Sequence, residues 1–237
     1  MNQQVDRSLA DVRLLRSLGD DELKSLEQRC RWRWFKSGTQ IIGPDSDAEN
    51  DFAAHDIMFI VEGRVRVVQH TIKGREIAFA VVEMGGHIGE LSAIDGRARS
   101  ASVIALDETF VALLSPDRFN DLLLRSPSVA VELLHHLAAI VRTTDERIAE
   151  LSTLSSMQRV YRELARMAED DPVAPMRKLI RKLPTQQEIA SRSGVTRETV
   201  ARALGQLGDR GLVKRKGRLL LINDPQGLED LGSQAEL

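Results

Sequence analysis

The sequence predicts an α+β fold in three consecutive parts. An N-terminal antiparallel β-roll is expected over residues 1–125, a single long helix over 126–154, and a basic C-terminal unit of two short helices and a β-hairpin over 155–237. Three observations predict this order. Short β-branched and aromatic runs crowd the first half without a helical period between them. A heptad-spaced apolar stripe follows. The last third then carries a capped helix pair ending in two strands around a basic turn.

Before the strands, a helical pattern begins near Asp11, and "GDDELKSLEQRC" (Gly19–Cys30) reads as a short amphipathic helix. Its acids gather at the N-terminus, where the helix dipole favours them. After Trp34 the period shortens. "TQII", "IMFIVEG", "RVRVVQHT", "EIAFAVV", "ASVIAL" and "TFVALL" are strand-like runs parted by glycine and charged turns such as "IKGR". Short strands at this spacing with no helix between them fit an antiparallel roll or barrel. "GPDSDAENDFAAHD" is polar and expected to be a loop. His55, His70 and His87 share no metal-ligand spacing and read as ordinary surface or turn residues.

The strand pattern stops near Ser126. Leu134, Leu137, Val141, Thr144, Ile148 and Leu151 then step by alternating intervals of three and four, an a/d seam that needs a partner helix. Arg142, Glu146, Arg147 and Glu150 surround the seam and keep it narrow, which predicts a two-helix coiled coil and a homodimer. Thr144 is an odd residue on such a stripe: it marks register or touches something bound there. The helical pattern continues through "QRVYRELARMAED" and breaks at "DDPVAPMRK", where two prolines predict a turn.

The net charge of −2 conceals a strong asymmetry. Met176–Arg218 holds twelve basic residues against three acids, +9 in all, while the remainder carries −11. Charge sorted in this way serves a polyanion. Within the basic segment, "LPTQQEIASRSGVTRETVARALGQL" reads as two helices and a tight turn. Thr185 with Glu188 is a capping box, Gln186 opens the first helix, Gly194 frees the turn and Thr196 caps the second helix. Ile189 and Ala190 face inward, as do Val200, Leu204 and Leu207 of the second helix. Arg197, Glu198, Ala201 and Arg202 fall on its other face. An arginine can lie bidentate on guanine O6 and N7, and a glutamate can accept from cytosine N4. The pattern is therefore a helix-turn-helix reading a G·C-containing half-site in the major groove. Gly205 and Gly208 each cost its second helix roughly 1 kcal/mol against alanine. "GLVKRKGRLLLI" adds a strand, a basic turn at Lys216-Gly217 and a second strand, a wing suited to the phosphate backbone.

Several function classes drop out. Cys30 is the single cysteine, which excludes an intrachain disulfide, a cysteine-rich iron–sulfur site and a zinc ribbon. The apolar runs are short and the first residues lack a signal-peptide layout, so a cytoplasmic protein with no membrane span is expected. No nucleophile–base–acid set, metal cluster or Walker loop suggests an enzyme, and no metal is expected.

One stretch remains, "GELSAIDGRARSA" from Gly89 to Ala101. It gathers glycines, arginines, serines and acids between ordinary strands. A compact anion wants a fixed guanidinium, a hydroxyl and open backbone N–H groups, and a sugar hydroxyl wants a carboxylate. With this piece in place the chain resembles the Crp/Fnr family of transcription regulators, and within it the cyclic-AMP receptor branch, over nearly its whole length. "TRETVARAL" (Thr196–Leu204) is similar to the family's base-reading segment. Gly89-Glu90-Leu91 and Arg99-Ser100-Ala101 are similar to the phosphate-binding cassette of cyclic-nucleotide domains.

The resemblance implies cyclic AMP as an allosteric ligand, with Arg99 and Ser100 on the cyclic phosphate and Glu90 on the ribose 2′-hydroxyl. It implies that Thr144 and Asp145 meet the adenine. Relatives carry Thr then Ser there, so Asp145 departs from the pattern. It also implies palindromic double-stranded DNA with TGTGA-like half-sites, met by Thr185, Gln186, Thr196, Arg197, Glu198, Arg202 and Lys216, and RNA polymerase as a partner. The family's oxygen-sensing cysteine cluster is missing. His87 reproduces no haem-sensing arrangement and is expected on the pocket rim. The 44–56 loop and the N-terminal extension are longer than usual. Two other readings stay open: a same-fold regulator that binds DNA without a nucleotide or with another effector such as cyclic GMP, and a cyclic-nucleotide subunit that regulates an enzyme.

Overall fold

The β-branched and aromatic runs of the first half form antiparallel strands throughout the described residues, which are 7–43, 55–70 and 76–233 of a computed structural model. One sheet takes β1 (Arg31–Phe35), β8 (Thr109–Leu114), β3 (Ile57–Glu62) and β6 (His87–Ile88) in that order. The other takes β2 (Gln40–Ile42), β7 (Ser102–Ala105), β4 (Arg64–His70) and β5 (Glu76–Glu83). Strand β3 is buried on both faces. Ile57 and Phe59 join a core with Leu14, Leu114 and Phe119, while Met58 and Ile60 join a second with Val65, Val111 and Leu113. This explains why "IMFI" reads as an unbroken apolar run.

The β-roll matches its prediction, with more in it than the periodicity showed. Strand β1 begins at Arg31, earlier than expected, because Trp32 and Trp34 alternate onto one face, where both rings stack on Phe110. The pattern from Asp11 is not one helix: residues Arg13–Leu15 make a 3-10 turn, and α1 covers only Asp20–Arg29. The expectation of no helix among the strands fails at α2 (Glu90–Asp95), between β6 and β7. Helix α3 (Pro116–Arg125) follows β8. The first residues of the N-terminal extension, the 44–54 loop and the "IKGR" turn lie outside the described residues.

Helix α4 runs Pro127–Thr153. Leu134, Val141, Thr144, Ile148 and Leu151 of its seam are exposed, whereas Leu137 is half-buried against the core that holds Phe119. The chain divides within this helix into two units, Met1–Ile140 and Val141–Leu237.

In the second unit α5 (Ser156–Arg166) starts at a capping box, Ser155 with Gln158. The unit then contains β9 (Glu169–Asp170), β10 (Lys178–Ile180), α6 (Gln186–Ser193), α7 (Arg197–Asp209), β11 (Val213–Lys216), β12 (Leu219–Ile222) and α8 (Pro225–Ser233). The strands form one antiparallel sheet in the order β11-β12-β10-β9. Leu164, Ile189, Val200, Ala203, Leu207 and Ile222 lie in its core. The inward stripe of α7 is therefore Val200, Ala203 and Leu207. Leu204, expected in that stripe, is only half-buried, because a three-then-four step places Ala203 under the helix and turns Leu204 toward its edge. Among the described residues no helix is long and apolar enough to cross a membrane.

Candidate functional site

Gly89 stands just before α2 with φ +84°, and a Cβ there would lie 2.8 Å from the Asp56 carbonyl oxygen and run into the Arg99 guanidinium. Only glycine fits, for both reasons. Arg99 is buried, unusual for a guanidinium unless it is paired. Its Nη1 donates to the Gly89 carbonyl at 3.1 Å and its Nη2 to the Asp56 carbonyl at 2.7 Å. The Asp56 carboxylate in turn pairs with Arg31 on β1. Glu90, the first residue of α2, and Ala101 are buried, while Ser100 and Leu91 are exposed. The arrangement holds a cation rigidly beside a carboxylate-bearing turn and an exposed hydroxyl, which suits a phosphate joined to a sugar. Asp56 was missed by sequence reasoning. Its signal, an acid directly before a buried strand, does not distinguish it from any turn residue.

His87 is neither a surface residue nor on a rim. It is 8% exposed, on β6 opposite Phe59, with its ring centroid 4.5 Å from that of His136 on α4. Burial, then the nearby His136 and Arg13 charges, pushes its pKa down to about 3. Its Nε2 has no hydrogen-bond partner among the described residues. The strand before the Gly-Glu-Leu turn runs inward, which is why a polar residue there is covered. His55 is half-buried. Cys30 is also buried, and burial pushes its thiol up to about 12, a small hydrophobe in practice. Thr144 and Asp145 are exposed on α4, in the second unit. Among the described residues no group of three or more His, Cys, Asp and Glu side chains could hold a metal ion.

The second site is built from two capped helices. The Thr185 hydroxyl accepts from the Glu188 amide at 3.2 Å, and the Glu188 carboxylate accepts from the Thr185 amide at 2.7 Å. Gly194 turns the chain at φ +64°, and the Thr196 hydroxyl accepts from the Thr199 amide at 3.3 Å to start α7. Arg197, Glu198, Ala201 and Arg202 are all exposed on α7. Hydrogen bonds from a backbone amide and from the Thr196 hydroxyl hold the Glu198 carboxyl below its usual range. It is thus an ionised acceptor at neutral pH. A cavity of about 540 Å³ joins the start of α6 to α7 and the hairpin, lined by Thr185, Gln186, Gln187, Arg197, Leu204 and Arg215. Lys216 ends β11 at the tip and is exposed. Arg215, which the sequence reading passed over in favour of Lys216, donates from Nε to the Gly217 carbonyl at 2.9 Å and so lies back over the turn. Strand alternation separates the two: neighbours in β11 point to opposite faces.

Residues 47–126 match the model of the cyclic nucleotide-binding domain, and residues 158–231 that of the Crp-like helix-turn-helix domain. The chain is 27% identical over 204 residues to the cAMP-activated global transcriptional regulator CRP of Salmonella typhimurium, covering 86% of this chain and 94% of that protein. It is 28% identical over 173 residues to the CRP-like cAMP-activated global transcriptional regulator of Mycobacterium tuberculosis, covering 73% and 77%. Among solved structures, a mutant of CooA from Carboxydothermus hydrogenoformans superposes with a TM-score of 0.78 at 19% identity, covering 98% of each chain. The c-di-GMP responsive global regulator CLP of Xanthomonas campestris gives 0.69 at 20% identity, covering 86% of this chain and 99% of that one.

Proposed function

The chain belongs to the Crp/Fnr family of transcription regulators, and from that premise we propose that it is a homodimeric, sequence-specific regulator whose DNA binding is controlled by cyclic AMP. It is not an enzyme: the relatives and both matched domains are those of regulators. The observation that carries the ligand reading is Arg99, a buried guanidinium held beside a glycine that no other residue can replace, with Glu90 next to that glycine and Ser100 next to Arg99. In this reading Arg99 and Ser100 take the cyclic phosphate, with Gly89, Leu91 and Ala101 shaping the turn around it. Glu90 accepts from the ribose hydroxyl. Thr144 and Asp145 are assigned to the base, and Asp145 accepts from the adenine amino group.

The exposed seam residues Leu134, Val141, Ile148 and Leu151 support the dimer, since an unpartnered a/d stripe leaves apolar surface in water. Two α7 helices then read half-sites about one helical turn apart, near 34 Å. Thr185, Gln186, Thr196, Arg197, Glu198 and Arg202 read TGTGA-like half-sites, and Lys216 of the wing meets phosphate. RNA polymerase is the expected protein partner. Cyclic AMP acts by binding one arrangement better than the other, a coupling on the order of 1–3 kcal/mol.

Calorimetric titration of the purified protein tests the ligand directly. Saturable heat with cyclic AMP is expected, abolished in an Arg99→Ala variant whose thermal melt shows that it still folds. Asp145 favours one second reading, a different effector. Tighter binding of cyclic GMP in the same titration would make Asp145 a base selector. No heat with either nucleotide, with DNA binding intact, would leave a regulator that needs none.

A further inference from the structure

The end of α4 is joined to the rest of the second unit in an unusual way. Among the described residues, none from 141 to 153 belongs to that unit's buried apolar core. Leu151 comes near it, with Cδ2 standing 3.4 Å from where a Cβ on Gly194 would lie. A cluster of charges adds a further hold on the orientation of α4 against α5. Glu150, off the seam and buried, takes Arg162 Nε on Oε1 at 2.9 Å and Arg166 Nη2 on the same oxygen. Arg162 and Arg166 are one turn apart on α5, so both reach one carboxylate. Arg166 continues to Glu163 Oε2 at 3.6 Å, and Glu163 Oε1 meets Arg192 Nη1 at 3.7 Å. Arg192 lies in the last turn of α6, the first helix of the helix-turn-helix.

We propose that Glu150 is a positioning residue for DNA recognition: through Arg166, Glu163 and Arg192 it fixes the angle between the seam helix and the helix-turn-helix, and thereby the half-site spacing the dimer accepts. The joint between α4 and α5 is only Leu154 and Ser155. The Leu154 carbonyl accepts from Arg159 Nη1 at 2.9 Å, and Arg159 Nε donates to the Ser193 carbonyl at the end of α6 at 3.1 Å, a polar link that works beside the carboxylate cluster. An apolar contact would fix one angle regardless of conditions. Ion pairs whose arginines are 45% and 35% exposed are weaker, and they can break and re-form as the joint bends. The inference rests on the dimeric DNA-binding reading above and adds to it the device that sets the dimer's reach.

The test measures binding of full-length protein, with cyclic AMP present, to palindromic duplexes whose TGTGA half-sites differ in centre-to-centre spacing by one and two base pairs. A single TGTGA half-site serves as control. The wild type should prefer one spacing. In Glu150→Gln that preference should fall by about fivefold, the scale of one partly exposed ion-pair cluster lost from each of the two protomers, with half-site affinity unchanged. Arg166→Gln, which removes the opposite charge of the same pair, should reproduce the change, and stands in if Glu150→Gln does not fold. A uniform loss at every spacing, or an unaltered preference in both variants, would overturn the positioning role. A wild type indifferent to spacing would overturn the dimeric reading itself, which is a different failure.

Discussion

Arg202 and His87 illustrate two kinds of residue that a sequence presents in the same way, as an isolated polar side chain. Arg202 is exposed on α7, one turn after Glu198, on the face proposed to read bases. Replacing it with alanine should relax specificity at one base pair at a cost of about 1–3 kcal/mol, visible in competition between single-substituted duplexes. Equal weakening on every sequence would instead mark a phosphate contact. His87 is the opposite case, and its burial was not legible, because a two-residue strand carries no periodicity that could turn it inward. Its pKa of about 3 lies below the unfolded value near 6.5, so between the two the unfolded chain binds the extra proton. The stability His87 allows is complete above the unfolded value and declines as pH falls through that window, by up to about 1.4 kcal/mol per pH unit. Denaturant unfolding from pH 7 to pH 4.5 should show this slope reduced in His87→Phe. Glu163, raised by burial, tilts the profile the other way, but equally in both proteins.

At the scale of elements, the recognition helix bears a visible flaw. Gly205 and Gly208 lie within α7, exposed, with open space where a Cβ would be. Gly205→Ala should raise stability by about 0.5–1 kcal/mol and the melting temperature with it, whereas Gly194→Ala, at φ +64°, should lower both. A gain at Gly194 would show that the turn tolerates a right-handed path. Elements with strong local grammar were the legible ones: the capping box at Thr185 and the cap at Thr196 came from spacing alone, and the a/d seam of α4 appeared as a stripe. Elements fixed by tertiary contact were not. Helix α2 forms inside "GELSAIDGRARSA" because Gly89 turns the chain over Arg99, a contact ten residues away. The Ala203 position in the α7 core was hidden by the more apolar Leu204 beside it. The packing of Arg99 on the Gly89 turn lies where the resemblance pointed, while Asp56, which accepts from Arg99 through its backbone carbonyl, was invisible to any reading of side-chain type.

For the whole molecule, charge and fold tell one account. The +9 segment coincides with the helix-turn-helix and its wing, and the cassette lies in the acidic remainder. In the proposed function a polyanion and a small anion are met in different parts of the chain, and regulation depends on coupling between those two binding events. The most direct measurement is the affinity of the wild-type protein for a TGTGA palindrome, by fluorescence anisotropy at fixed salt, with and without saturating cyclic AMP. Cyclic AMP is expected to tighten binding by roughly 5–150-fold. The same affinity in both conditions would contradict it.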